Sequence, residues 1–421
     1  MATQQVALNM QRVQLEQKSL TEYARVVGDD VIDEIETLAR PLHGARVLHV
    51  SATAQGGGVA EMIQALVPLM RSAGLDADWR VVAGSEAFFN MTKAMHNALQ
   101  GMPLDLTADM KTVYLKVNDA NATSFTGGFD FVVVHDPQPA PLRVALPHVR
   151  GTWIWRCHID LTAANPEFWD FLRPFIQAYE AAIFTMPDFV MPDLHVGTIG
   201  IIPPAIDPLS AKNMRMTDDD IIHAVGRRHV DPYRPMLVQV SRFDPWKDPI
   251  GVIDVYRAAR LDIPHLQLVL LGAMAHDDPE GEEYYRRAVK HAGNDPDIHI
   301  LLNAHGSSEV NAFQRRADVI LQKSLREGFG LTVTEGLWKA RPVVASNVGG
   351  IPMQIEDGVS GYLVGSVDQC VERVLNVFRA PEAAVEMGAR GRERVRRQFL
   401  STANLANYLR LFNQFAFELP A

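Results

Sequence analysis

Glu327 and Glu335 bracket the segment Glu327-Gly328-Phe329-Gly330-Leu331-Thr332-Val333-Thr334-Glu335, and no other stretch of the chain speaks so directly of chemistry. In one continuous helix the two carboxylates would stand roughly 12 Å apart along the axis and about 80° apart in rotation, too far for one small site. Gly328 and Gly330 instead favour a tight loop, while Leu331, Leu337 and Trp338 form an apolar face, so a helix is expected to open just past Gly330. The unpaired amides of such a helix start attract an anion. One carboxylate in the loop and another a turn inside the helix could hold hydroxyls on either side of a bound phosphate. A nucleotide sugar has that layout.

Three further groups deserve weighing. In Ser241-Arg242-Phe243-Asp244-Pro245-Trp246-Lys247-Asp248-Pro249, Arg242 and Lys247 flank a proline-stiffened turn after an apolar strand, where two cations could neutralise a diphosphate. The plainer alternative is a pair of solvated surface cations. His135-Asp136-Pro137-Gln138 and Arg156-Cys157-His158-Ile159-Asp160 each place ionisable groups directly after an apolar strand, suited to acid/base work or to orienting hydroxyls. Hydrogen-bonded turn histidines would read the same way. Gln55-Gly56-Gly57-Gly58-Val59-Ala60-Glu61 lies between a strand and a helix, but Glu61 stands where a dinucleotide loop needs its third glycine. Asp78, at the distance of a ribose-binding acid, is read as preceding its strand. The loop is then a tight turn, or a turn approached closely by a sugar or phosphate. Asp218-Asp219-Asp220 and His276-Asp277-Asp278-Pro279 suit helix starts better than metal ligation, and the basic run 390–397 suits a solvated helix face. No segment has complete metal-ligand spacing.

The elements that must position these residues alternate. Residues 6–42 carry apolar positions at helical spacing, for one or two amphipathic helices. Strand 46–51, helix 59–72, strand 77–82 and helix 86–99 follow, then apolar strands at 131–134, 152–157, 181–185 and 200–202. A second series has strands at 236–241, 266–271, 299–302, 318–322, 342–346 and 361–364. Alternation of this kind predicts parallel sheets, and fully apolar strands predict sheets covered on both faces. Pro203-Pro204 and the polar stretch 210–233 separate the two series. The expected architecture is α/β, two doubly wound Rossmann-like domains facing across a cleft: 1–206 with an N-terminal helical extension, 207–400, and a C-terminal helix 401–421 packing back on the first domain. At 421 residues and 47% hydrophobic, the chain has material for two cores. A net charge of −10 argues against nucleic acid as principal partner. Cys157 and Cys370, far apart, form neither a disulfide framework nor a metal knuckle, and no long apolar run is present, so a cytoplasmic protein without membrane spans is expected.

The segment 327–335, with Pro342-Val343-Val344-Ala345-Ser346, Gly349-Gly350-Ile351-Pro352 and Asp357-Gly358 behind it, resembles the signature of retaining glycosyltransferases of family 4, which have the GT-B fold. Val240-Ser241-Arg242-Phe243 and Pro203-Pro204-Ala205-Ile206-Asp207 extend the resemblance across both halves. Gly56 to Glu61, His135 to Gln138 and Trp155 to Asp160 look most like the trehalose glycosyltransferring synthases. The resemblance implies that Glu335 holds the donor ribose, Glu327 the donor glucose hydroxyls, and the backbone of Phe329, Gly330, Leu331 and Thr332 the sugar and phosphate. It implies that Arg242 and Lys247 bind the diphosphate, that Gly56, Gly57 and Gly58 shape the acceptor floor, and that His158 and Asp136 lie near the reacting carbon or acceptor hydroxyl. Retaining glucosyl transfer from a nucleoside diphosphate glucose to glucose, giving α,α-trehalose, is the implied reaction. Neighbouring readings are a retaining trehalose phosphorylase, another family 4 enzyme with a different small sugar acceptor, a sugar-nucleotide epimerase and a non-catalytic sugar-binding protein. No cofactor is implied as obligatory; Mg²⁺ would at most stimulate. The N-terminal helices could serve a homodimer interface, and hinge closure of the two domains over the donor is expected.

Overall fold

The computed structural model describes residues 9–272, 279–302 and 306–416. The chain divides into two compact units, Met1–Pro204 with Ser401–Ala421, and Ala205–Leu400. Each is built on one sheet. The strands of the first are β1 (Gln11–Arg12), β2 (Arg46–Ser51), β3 (Asp76–Val81), β4 (Phe131–His135), β5 (Thr152–Arg156), β6 (Ala181–Phe184) and β7 (Thr198–Ile201), in the spatial order β1-β3-β2-β4-β5-β6-β7. All pairings are parallel except β1 against β3. Every residue of β4 and β5 is buried, as their unbroken apolar character requires.

Helices Leu20–Val27 and Asp29–Ala39 fulfil the amphipathic pattern near the N-terminus, but β1 precedes them. Two residues are too few to show a period. Asp78 is a correction: it lies inside β3, bonded to Arg12 Nε at 2.8 Å and 3.5 Å from Arg71 Nη2, and so ties an edge of the sheet together. The C-terminal helix Ser401–Asn413 packs on helices 29–39 and 58–72, and its Phe412 ring stacks on Phe131 with centroids 4.3 Å apart.

The second sheet contains β8 (Met236–Val240), β9 (Gln267–Gly272), β10 (Ile298–Leu302), β11 (Val319–Gln322), β12 (Val343–Ser346) and β13 (Tyr362–Val364), all parallel, in the order β10-β9-β8-β11-β12-β13. The aspartate run opens helix Asp218–Gly226, capped by the Thr217 hydroxyl. The basic run lies on helix Pro381–Gln398, where Glu393 takes both Arg396 and Arg397. His276, Asp277 and Asp278 lie outside the described residues. None of the described helices is long and apolar enough to cross a membrane.

Strand order reverses between β2 and β4 in the first unit and between β8 and β11 in the second. Helices leave opposite faces of a sheet at such a reversal, so the loops at the carboxyl ends part and leave a crevice for ligand.

Candidate active site

In the second unit, Arg242 and Lys247 follow β8 while Glu327 follows β11, so the reversal brings together residues 80 positions apart. Lys247 Nζ is ion-paired with Glu327 Oε2, and the Ser324 hydroxyl donates to the same oxygen at 3.2 Å. A second pair, Lys323 with Asp248, ties the same two strand ends. Asp248 holds φ at +44°, a left-handed conformation that non-glycine residues rarely adopt, and caps helix Pro249–Ala259 through Gly251 N at 3.0 Å. Arg242 reaches out, 67% exposed, and its guanidinium lies 3.0 Å from Asp244. Burial raises the Asp244 pKa, opposed by Arg242 and Lys247.

The helix expected past Gly330 runs from Leu331 to Trp338, and Gly330 caps it at φ +83°. Glu327 therefore sits in the loop and Glu335 inside the helix. The loop is held by close backbone approach: a Cβ on Gly349 would lie 1.6 Å from the Glu327 carbonyl oxygen, and one on Gly350 2.6 Å from that of Gly328. This gives the glycine pair at 349–350 its reason. Phe329 is buried against Phe399, the Thr332 hydroxyl donates to Gln322 Oε1 at 2.8 Å, and the carbonyl of the buried Gly330 accepts from the Val333 N–H at 2.9 Å.

Glu335 is not gathered with Lys247 and Glu327. Its carboxylate accepts from Gln314 Nε2 at 3.0 Å and lies 3.6 Å from Lys212 Nζ, with the side chain only 3% exposed. Lys339, one turn further on, is buried beside it, and burial lowers its pKa to about 7. Sequence reasoning missed Lys212, Gln314, Ser324, Lys323 and Lys339, none of which belongs to a local motif.

In the first unit, Gly56 and Gly57 take φ of +78° and +85°, and nothing lies within 4 Å of a Cβ built on either. Backbone conformation, not crowding, requires glycine there. Gly58 starts helix Gly58–Ser72. Asp136, at φ +64°, follows β4; its Oδ1 accepts from the His158 backbone N–H at 2.8 Å, and its carbonyl accepts from Trp155 Nε1 at 2.9 Å. Burial pushes its carboxyl pKa up to about 7, although the His158 amide and Arg156 favour the charged form. His158 Nε2 meets His135 Nδ1 at 3.0 Å with the rings nearly coplanar in orientation, and His135 Nε2 meets His49 Nδ1 at 2.9 Å. Burial lowers the pKa of all three, that of His49 to about 3, so the row is neutral at pH 7. His49, on β2, gave no signal in the sequence. An open pocket of about 470 Å³ beside Arg46, Asp130 and Arg150 lies at the opposite, amino ends of β2, β4 and β5.

Residues 49–191 match the model of the trehalose synthase N-terminal domain, and residues 227–394 that of glycosyl transferases group 1. The trehalose synthase of Thermococcus litoralis is 49% identical over 404 residues, 95% of this chain and 98% of that one. The chain belongs to the trehalose synthase family. As a member of that family it is a hexosyltransferase with the GT-B fold. The trehalose phosphorylase of Pleurotus pulmonarius is 31% identical over 82% of this chain, but this chain spans only 54% of its length. The α,α-trehalose 6-phosphate synthase of Burkholderia multivorans has the same fold, with a TM-score of 0.71 at 17% identity over 89% of this chain and 100% of that one.

Proposed function

We propose that the protein transfers glucose from a nucleoside diphosphate glucose to free glucose with retention, forming α,α-trehalose. The observation that carries this reading is the Lys247–Glu327 pair, held at the strand reversal beside the helix start at Gly330. It supplies a cation and helix amides for a diphosphate, with a carboxylate for sugar hydroxyls alongside. Arg242 adds a second, exposed cation. Glu335, behind its Gln314 and Lys212 contacts, is assigned to the donor ribose, and exchanges those partners for the two hydroxyls. Gly56, Gly57 and Gly58 form the acceptor floor, with Asp136 and His158 orienting the acceptor hydroxyl.

Glu327 is neutralised by Lys247 and hydrogen-bonded by Ser324, which makes it a poor nucleophile. Retention is therefore assigned to attack on the same face as departure. The bond from the anomeric carbon to the phosphate oxygen breaks, the acceptor oxygen bonds to that carbon, and the acceptor proton passes to the departing phosphate. Catalysis rests on positioning and on stabilising the leaving diphosphate.

The similarity to a trehalose phosphorylase keeps phosphorolysis as the second reading, and one donor screen separates the two. The purified protein is offered glucose with ADP-, UDP- or GDP-glucose, and in parallel with glucose 1-phosphate. Trehalose and nucleoside diphosphate in the first arm support synthesis; trehalose from glucose 1-phosphate alone replaces it with phosphorolysis.

A further inference from the structure

His49, His135 and His158 come from β2, β4 and the loop after β5, and form an unbranched hydrogen-bonded row that the transfer chemistry above leaves unused beyond its outer member. With all three rings neutral, each carries one N–H, and two contacts fix the order of donation throughout. Only two orders exist. In the inward order His158 Nε2–H donates to His135, His135 Nε2–H donates to His49, and His49 keeps its proton on Nε2. In the outward order His49 Nδ1–H donates to His135, His135 Nδ1–H donates to His158, and His158 keeps its proton on Nδ1.

The two ends of the row decide between them. His49 is wholly buried, and its Nε2 has no hydrogen-bond partner among the described residues. The inward order would strand an N–H there, and buried orphan donors are rarer than under-used acceptors. His158 is half-buried, and its Nδ1 has no protein partner among the described residues.

We propose that His49 and His135 are positioning residues that lock His158 as its Nδ1–H tautomer, so that it offers a sugar oxygen a hydrogen-bond donor and cannot serve as a base there. The proposal deepens the assignment of His158 to sugar hydroxyls, on which it rests. It also fits a mechanism in which the phosphate, not a histidine, takes the acceptor proton.

Nitrogen-15 NMR of the full-length protein labelled at histidine reads the tautomers directly. The expected result is a protonated Nδ1 and an unprotonated Nε2 at His158; the reverse assignment overturns the proposal. His49→Leu removes the donor that sets the order, and should give His158 a mixture of tautomers with kcat lowered about tenfold, the worth of one hydrogen bond. His49→Asn, whose amide can donate from the place of Nδ1, should restore the single tautomer and most of the rate. An unmixed His158 tautomer in folded His49→Leu would show that the row sets nothing. The tautomer readout does not depend on turnover, so a chain with the expected tautomers but no glucosyl transfer would fail the functional reading and leave the lock standing.

Discussion

At the scale of single residues the account rests on pairs. Lys247 and Glu327 share one ion pair, and Lys247 is the group assigned to the developing diphosphate charge. Lys247→Ala is expected to lower turnover on the order of 100-fold or more while the protein stays folded, because an electrostatic contact made to the leaving group is lost from the transition state. Steady-state rates beside a circular dichroism melt check it; near-wild-type turnover would remove Lys247 from the mechanism. The histidine row makes a separate claim about pH. Each ring is held neutral in the folded chain and protonates on unfolding below about pH 6.5, so the unfolded state binds more protons and stability falls with acid. Asp136, with its pKa raised to about 7, acts oppositely: the folded state holds its proton, and that stability is lost as pH rises from about 4 through 7. In His49→Asn, the slope of unfolding free energy between pH 4 and 5.5 should be shallower by about 1.4 kcal/mol per pH unit, one proton fewer. An unchanged slope, measured by urea titration, would mean that His49 is not buried neutral. Little of this pairing was legible in the sequence. Lys247, Asp136 and His158 stood out because each follows an apolar strand, and Glu327 because it stands in a glycine loop before a helix start, but Lys212, Gln314 and His49 owe their roles to partners far along the chain, which no local pattern displays.

At the scale of elements the sequence was far more legible. Apolar runs announce strands, and β2, β4 and β8 to β13 lie within a residue or so of where composition puts them, although the edge strand β10 is only half-buried. The helix Ala108–Thr123 was missed, for a physical reason. It has no clean apolar stripe and buries Asn118 and Asn121, whose amides donate to the carbonyls of Gln138 and Ala83, so tertiary hydrogen bonds replace the hydrophobic period. The loop that carries Glu327 depends on Gly349. Gly349→Ala must displace the Glu327 carbonyl and strain a φ of +52°, and is expected to cost at least about 2 kcal/mol and to remove most activity. Gly365→Ala, where a Cβ meets only the Gln369 side chain at 3.5 Å, is the control that should be nearly silent. Equal melting temperatures for the two variants would contradict the close approach.

At the scale of the whole molecule the chain leaves its first unit at Pro204 and re-enters it at Ser401, so the last helix belongs to the first sheet. Leu405, Leu409 and Phe412 are fully buried, a contribution of several kcal/mol and comparable to the stability of an ordinary domain. A chain ending at Leu400 should lose the calorimetric transition of the first unit and keep that of the second; two intact transitions would show that the helix is dispensable. The order of strands in both sheets places Asp136 and Arg242 just beyond carboxyl strand ends, with His158, Lys247 and Glu327 in the loops that follow such ends, so a reading based on strand ends reached these residues while their supporting partners stayed hidden. What the two halves do together is tested most directly by following the anomeric carbon. With ¹³C at C1 of an α-linked nucleoside diphosphate glucose and unlabelled glucose as acceptor, carbon NMR should show the label moving into α,α-trehalose with its α configuration kept and one nucleoside diphosphate released per disaccharide. A labelled β anomeric carbon, or label left in the donor while free glucose goes unused, would contradict retaining transfer to glucose.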